Sequence, residues 1–306
     1  MKGKDLFLAL LVVIVWGANF TVIKLGLNGV PSMLLVAVRY ILVAFPAIFF
    51  IKKPNTSWKT IIYYGLTVGV GQFGCLFYAM AIGMPAGIAS IVVQLQAFIS
   101  PLLAAIFLKE EVKPKQLIGF VIAAIGLSVI GMASASNGIS SIPLGALLLT
   151  IGAPTFWSIS NIIARIASDK AAENGEKLHM LSLVVWASLI PPIPMIGLAL
   201  LIDTPKTLIN SLVNLTFMSV FSALYIGYAA TLFGYGFWTI LISKYPLSKI
   251  SPISLLVPIT GLFAARIVLS EELSKMQWMG VSIILLGLII SNLDFRQIVK
   301  KPPHRI

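Results

Sequence analysis

Lys24 and Arg39 stand inside apolar stretches of this chain, together with amides at Asn19, Gln72, Gln94, Gln96 and Asn161, and no carboxylate stands among them. A charge at the centre of a hydrocarbon layer costs at least about 2.5 kcal/mol, so such groups persist where they meet a partner, a ligand or the water interface. A guanidinium or ammonium there suits a carboxylate, and amides can hold both ends of a zwitterion without fixed charge. The same amides can equally tie helices together. Asn19 follows Trp16 by three positions and Asn161 follows Trp157 by four, so each pair shares a helix face. Tyr225, Tyr228, Tyr235 and Trp238 are spaced to align along one stripe of a regular helix, as a cavity wall or as packing. Arg39 fits either a ligand or gate role or a tie to backbone carbonyls, and Lys24 either a counter-ion role or a reach to outer headgroups.

Acid-base and metal chemistry are poorly supplied. All ten carboxylates fall at helix ends or in connections, and Glu110-Glu111 and Glu271-Glu272 precede helix starts, where they complement the helix dipole. Cys75 is the lone cysteine and His179 and His304 are far apart in sequence, so no disulfide, metal centre or cofactor is expected. An enzyme would need a nucleophile or acid-base pair at depth, and none is offered.

With 58% hydrophobic and 10% charged residues over 306 positions, the chain has too little polar surface to cover a soluble globule, and it reads as an integral membrane protein. The net charge of +12 sits in short connections, where it meets anionic lipid rather than nucleic acid. About 20 apolar residues cross the hydrocarbon as a helix. Ten segments qualify, at 6–27, 32–51, 59–81, 85–108, 115–133, 143–166, 178–202, 214–242, 246–269 and 277–293. The first lacks a small-residue cleavage site and is expected to be a retained span. An N-terminus inside puts seventeen of the 22 Lys and Arg on the cytoplasmic side, which assigns both termini there.

Residues 85–127 overlay 246–288 without a gap at a shift of 161, matching Pro85 to Pro246, Glu110-Glu111 to Glu271-Glu272, Gly119 to Gly280 and Gly126 to Gly287. Lys109, Lys113 and Lys115 become Ser270, Ser274 and Met276 in the copy, as two opposite membrane orientations would require. Phe73-Gly74 recurs as Phe233-Gly234, and Trp16 and Lys24 correspond to Trp157 and Arg165. The expected fold is all-α: ten transmembrane helices in two inverted five-helix repeats, 1–137 and 138–294, followed by a basic cytoplasmic tail at 295–306. Pro85 and Pro246 interrupt equivalent places and are candidate hinges, with Lys24 a candidate gate residue.

The Trp16-Gly17-Ala18-Asn19-Phe20 start, the Arg39-Tyr40 step and the Glu-Glu turns resemble the EamA branch of the drug/metabolite transporter superfamily. Longer stretches, such as 83–98 (GMPAGIASIVVQLQAF) and 181–194 (LSLVVWASLIPPIP), are similar to its bacterial exporters of O-acetylserine and cysteine. The resemblance implies an inner-membrane exporter of small amino acids or related metabolites, with a central cavity on which Trp16, Asn19, Arg39, Gln72, Gln94, Trp157, Asn161, Tyr228 and Tyr235 are the substrate-binding candidates. Without an embedded carboxylate, facilitated or exchange transport is expected, with coupling through Lys24 or waters left open. An exporter of drugs or larger metabolites such as nucleosides, proton-coupled or not, is the alternative that the aromatic stripe suggests. Expected partners are a small-molecule substrate and membrane lipid, and the sequence is compatible with a homodimer.

Overall fold

The computed structural model describes residues 1–135, 142–245, 250 and 253–292, and all regular structure among them is helical. The order is α1 Gly3–Leu27, α2 Ser32–Ala44, α3 Trp58–Ala81, α4 Ala86–Leu108, α5 Pro114–Ala135 and α6 Leu144–Glu173. Then follow α7 Met180–Ala187, α8 Pro192–Ile202, α9 Pro205–Val213, α10 Phe217–Lys244, α11 Val257–Leu269 and α12 Lys275–Asn292. Among the described residues seven helices are long and apolar enough to cross a membrane, α2 counting with the 3-10 turn that extends it to Phe49, and α7 with α8 makes an eighth if that bent pair is one span.

Departures from the expected segments have local causes. The run 178–202 is bent by 43° between α7 and α8, where Pro191, Pro192 and Pro194 remove amide donors from the helix ladder. The short helix α9 is an addition, started by the Thr204 hydroxyl, which accepts from the Thr207 amide at 3.2 Å. In the expected span 246–269, residues 246–249 and 251–252, hence Pro246, lie outside the described residues. Within the remainder, α11 is a helix of 13 residues, about 20 Å long. The basic tail 295–306 also lies outside the described residues.

Several details occur twice. A nine-residue π-helical segment interrupts α3 at Leu66–Gly74 and α10 at Tyr225–Phe233. The α4–α5 connection begins with Lys109 at φ 57° and the α11–α12 connection with Ser270 at φ 54°, both left-handed helix caps that usually fall to glycine. Gln116 accepts from the Lys113 amide at 2.8 Å, and Gln277 from the Ser274 amide at 2.9 Å. Helices α5 and α12 run antiparallel at backbone contact: a Cβ on Gly119 would stand 2.6 Å from the Gly287 carbonyl, and one on Gly126 the same 2.6 Å from that of Gly280. Only glycine permits that approach. These four are the glycines that match at a shift of 161, so Gly119 contacts the counterpart of Gly126, and Gly126 the counterpart of Gly119.

Helix α1 packs on α11, with Gly17 against Thr260 and Gly261, and α6 packs on α4, where Ser100 donates to Ser158 at 3.1 Å. The glycines of α3 seat the bend between α7 and α8: Gly65 meets the Ala187 carbonyl and Ile190, and Gly69 meets Pro191. That contact brings α2, α3, α7 and α10 around one interior chamber.

Candidate functional site

Arg39 lies eight residues into α2 and is 2% exposed. Its Nη2 donates to the Thr231 hydroxyl at 2.9 Å, and Thr231 in turn donates to the Ile226 carbonyl at 2.9 Å, five residues back in the π segment of α10. The guanidinium carbon stands 3.7 Å from the centre of the Phe73 ring and 5.6 Å from that of Tyr40. The Nε and Nη1 of Arg39 and the hydroxyl of Tyr40 have no hydrogen-bond partner among the described residues. Tyr64, Ser188 and Tyr235 also line it, no Asp or Glu does so among the described residues, and the cavity left is about 20 Å³, room for one water-sized group.

Magnitudes decide what such a group favours. Removing an ion from water costs several kcal/mol even after relaxation. A desolvated cation–π contact returns about 2 kcal/mol and a hydrogen bond from a charged donor about 1.5–3 kcal/mol. These returns are of the same order as the cost, and two of the three guanidinium nitrogens still have no partner among the described residues, an arrangement chemically suited to an anion. Of the two readings of Arg39 from sequence, the tie to backbone carbonyls is not what forms: its contacts are a hydroxyl and two rings. Met33-Leu34 matches Met180-Leu181 in sequence at a shift of 147, which pairs Arg39 with Trp186, and the Trp186 indole donates to the Ile51 carbonyl at 2.9 Å.

Trp16 and Tyr235 come together beside this chamber. Their rings are 5.7 Å apart, Trp238 is 5.1 Å from Trp16, and the Trp16 indole donates to the Ala230 carbonyl at 2.9 Å. Trp16 rests on Gly234, where no side chain intervenes. Asn19 on α1 and Gln72 in the π segment of α3 are buried, and the side-chain carbonyl oxygen of each has no hydrogen-bond partner among the described residues. The π segments thus contribute Phe73 to the chamber lining from one half and Thr231 from the other, whereas Asn19 and Gln72 are buried outside that lining.

Other candidates lie elsewhere. Asn161 donates to Ser100 at 3.1 Å and to Gln96 at 3.4 Å, a polar seam between α6 and α4. Trp157 is half-buried against the main apolar core, and Gln94 is half-buried on a 3-10 turn, Val93–Leu95, inside α4. Tyr228 is exposed, while Tyr225 donates to the Val15 carbonyl at 3.0 Å. Of the stripe expected for α10, Tyr225, Tyr235 and Trp238 all meet α1, at Val15 and Trp16, and Tyr228 alone departs from it.

At the end of the bundle where α1 finishes, Lys24 donates to the Met80 carbonyl in the last turn of α3. Pro85, extended at φ −65° and ψ 140°, caps α4. The two amides after it, Ala86 and Gly87, donate to the carboxylate of Glu271 at 2.7 Å and 2.9 Å. The dipole reading of Glu271 from sequence thus holds in kind but for a distant helix, α4 instead of the α12 it precedes. A larger cleft of about 340 Å³ lies around Glu271, Arg266 and Trp278. Its charged groups are paired, Arg266 with Glu272 at 2.8 Å, so the Arg39 chamber carries the unsatisfied chemistry. Thr231, Tyr64 and Ser188 are short or apolar-flanked groups with no local signal in the sequence, and Tyr40 and Phe73 stand out there only as motif residues.

The model of the EamA-like transporter family matches residues 4–132 and again residues 144–293. A probable amino-acid metabolite efflux pump of Salmonella typhimurium strain LT2 is 42% identical over 296 residues, 97% of each chain. A protein of the same description from Escherichia coli strain K12 is 40% identical over 302 residues, 98% of this chain and 99% of that one. A probable terminal-alkyne amino-acid exporter of Streptantibioticus cattleyicolor is 20% identical over 298 residues, 95% of this chain and 94% of its own. A crystal structure is alike in fold, with a TM-score of 0.63 at 14% identity over 98% of this chain and 100% of that one. The chain therefore belongs to the EamA-like transporter family and is a multi-pass membrane transporter, not an enzyme.

Proposed function

We propose that this transporter exports small amino acids or related metabolites, of the size and charge of cysteine and O-acetylserine, from the bacterial cytoplasm across the inner membrane. The observation that carries this reading is a chamber walled by both halves of the chain, with one buried cation and no carboxylate lining it. Amino-acid metabolite efflux is what the two relatives at 42% and 40% identity are named for, which supports the substrate class. In this reading ten spans form two inverted repeats, 1–137 and 138–294, with both termini cytoplasmic, and they rock about the chamber by alternating access. The exchanged glycine contacts of α5 and α12 support that geometry, because a twofold axis in the membrane plane turns each contact into the other.

Arg39 would receive a carboxylate, Trp16 and Tyr235 would form a wall, and Asn19 and Gln72 would accept from an ammonium group. Gln94, Trp157 and Tyr228 would line the path as the chamber opens, while Asn161 would stay a tie between α6 and α4. Facilitated or exchange transport fits the absence of a carboxylate from the lining. Counterflow in reconstituted vesicles, with a labelled amino-acid panel and with or without a pH gradient, tests substrate and coupling together. Uptake of amino acids without a gradient is the expected result, and movement of cationic dyes or nucleosides alone would reject it. Gln94→Ala should lower flux at unchanged folded yield, and normal flux would remove Gln94 from the path.

A further inference from the structure

Resting on the alternating-access reading above, we propose that the Arg39 chamber is a subsite for the carboxylate of the substrate, and that its occupation is the condition for the carrier to change face. Arginine keeps its proton at any working pH, so Arg39 presents a fixed positive charge in every state of the cycle. Two of its three nitrogens and the Tyr40 hydroxyl have no hydrogen-bond partner among the described residues, although both side chains are buried. One positive charge calls for one negative charge. A dianionic phosphate would leave a surplus that no lysine or second arginine in the lining could meet.

The walls explain the second half of the proposal. Arg39, Tyr40 and Phe73 come from the first half of the chain, and Val184, Thr231 and Tyr235 from the second. A carrier that alternates must pass through a form in which these walls meet and water is squeezed out. With a carboxylate present, that closed form holds a neutral hydrogen-bonded pair. Without one, it holds a dry, lone guanidinium, which is the more costly arrangement. The loaded carrier therefore crosses readily and the empty one slowly, so exchange outruns net efflux.

The test uses the purified full chain and four probes: L-cysteine, 3-mercaptopropionate, which keeps the carboxylate and lacks the amine, cysteamine, which keeps the amine alone, and inorganic phosphate. The thermal unfolding midpoint in detergent should rise with the first two and not with the others. Arg39→Gln should unfold normally and lose the response, and Arg39→Lys should keep a weaker one. Stabilisation by cysteamine but not by 3-mercaptopropionate, an undiminished response in Arg39→Gln, or no response to any carboxylate would each overturn the subsite. Should Arg39→Gln not be recovered folded, the wild-type probe panel still decides.

In vesicles loaded with labelled cysteine, external 3-mercaptopropionate should speed release at least about tenfold over plain buffer. Equal rates would overturn the coupling of occupation to reorientation. If the wild type moves no amino acid, the export reading fails, while the unfolding panel still tests the carboxylate subsite by itself.

Discussion

At the level of single residues, two asparagines with the same place in the pattern have different surroundings. Asn161 spends its side-chain N–H groups on Ser100 and Gln96, whereas Asn19 keeps a buried carbonyl oxygen with no hydrogen-bond partner among the described residues. Asn161→Ala should therefore lower stability by about 1 kcal/mol and leave the apparent substrate affinity unchanged. Asn19→Ala should cost little stability and weaken affinity several-fold. Unfolding midpoints and counterflow KM values separate the two, and a matching rise in KM for Asn161→Ala would bring that residue to the substrate. Residue type was legible from sequence here and environment was not. The offset from tryptophan fixes which helix face each amide occupies, but the partners of Asn161 lie more than sixty positions away.

At the level of elements, the hydrophobic runs and the prolines carried the positions of seven spans, or eight with the bent pair, among the described residues, because each is a local signal. The π segments were not legible, since Leu66–Gly74 and Tyr225–Phe233 are as apolar as the α-helix on either side. One of them carries both Tyr228, which is exposed, and Thr231, which meets Arg39. The shared glycines were visible as matches, but only packing shows that α5 and α12 meet there. A Cβ on Gly287 would stand 2.6 Å from the Gly119 carbonyl, while one on Gly131 meets nothing closer than 3.7 Å. Gly287→Ala should therefore destabilise the protein by about 1–3 kcal/mol. Gly131→Ala should be neutral or slightly stabilising, by at most about 1 kcal/mol. Melting of the two purified variants decides, and an unperturbed Gly287→Ala would mean that α5 and α12 are not in backbone contact.

At the level of the whole molecule, alternating access needs ties that hold one end closed and can let go. The carboxylate of Glu271 holds the first two amides of α4, so a residue of the second half clamps a helix of the first. Lys24 is close enough to Glu271 to attract it and is bonded to the end of α3, which gathers three connections at one end of the bundle. Opening that end must break the Glu271 contacts, because α4 cannot part from α11 while they stand. Two charge-assisted hydrogen bonds to a helix start are worth at least about 1.5 kcal/mol, about a tenfold bias toward the closed end. Glu271→Gln keeps the shape and loses the charge. With Cys75→Ser as background and Ala265→Cys as a reporter facing Gly87, a membrane-impermeant maleimide should label the Glu271→Gln protein about tenfold faster than its parent. Glu272→Gln should not change the rate, since its pairing with Arg266 is 78% exposed on the glutamate side and worth little. Equal labelling of Glu271→Gln and its parent would mean that the carboxylate only finishes a helix end and has no part in closing it.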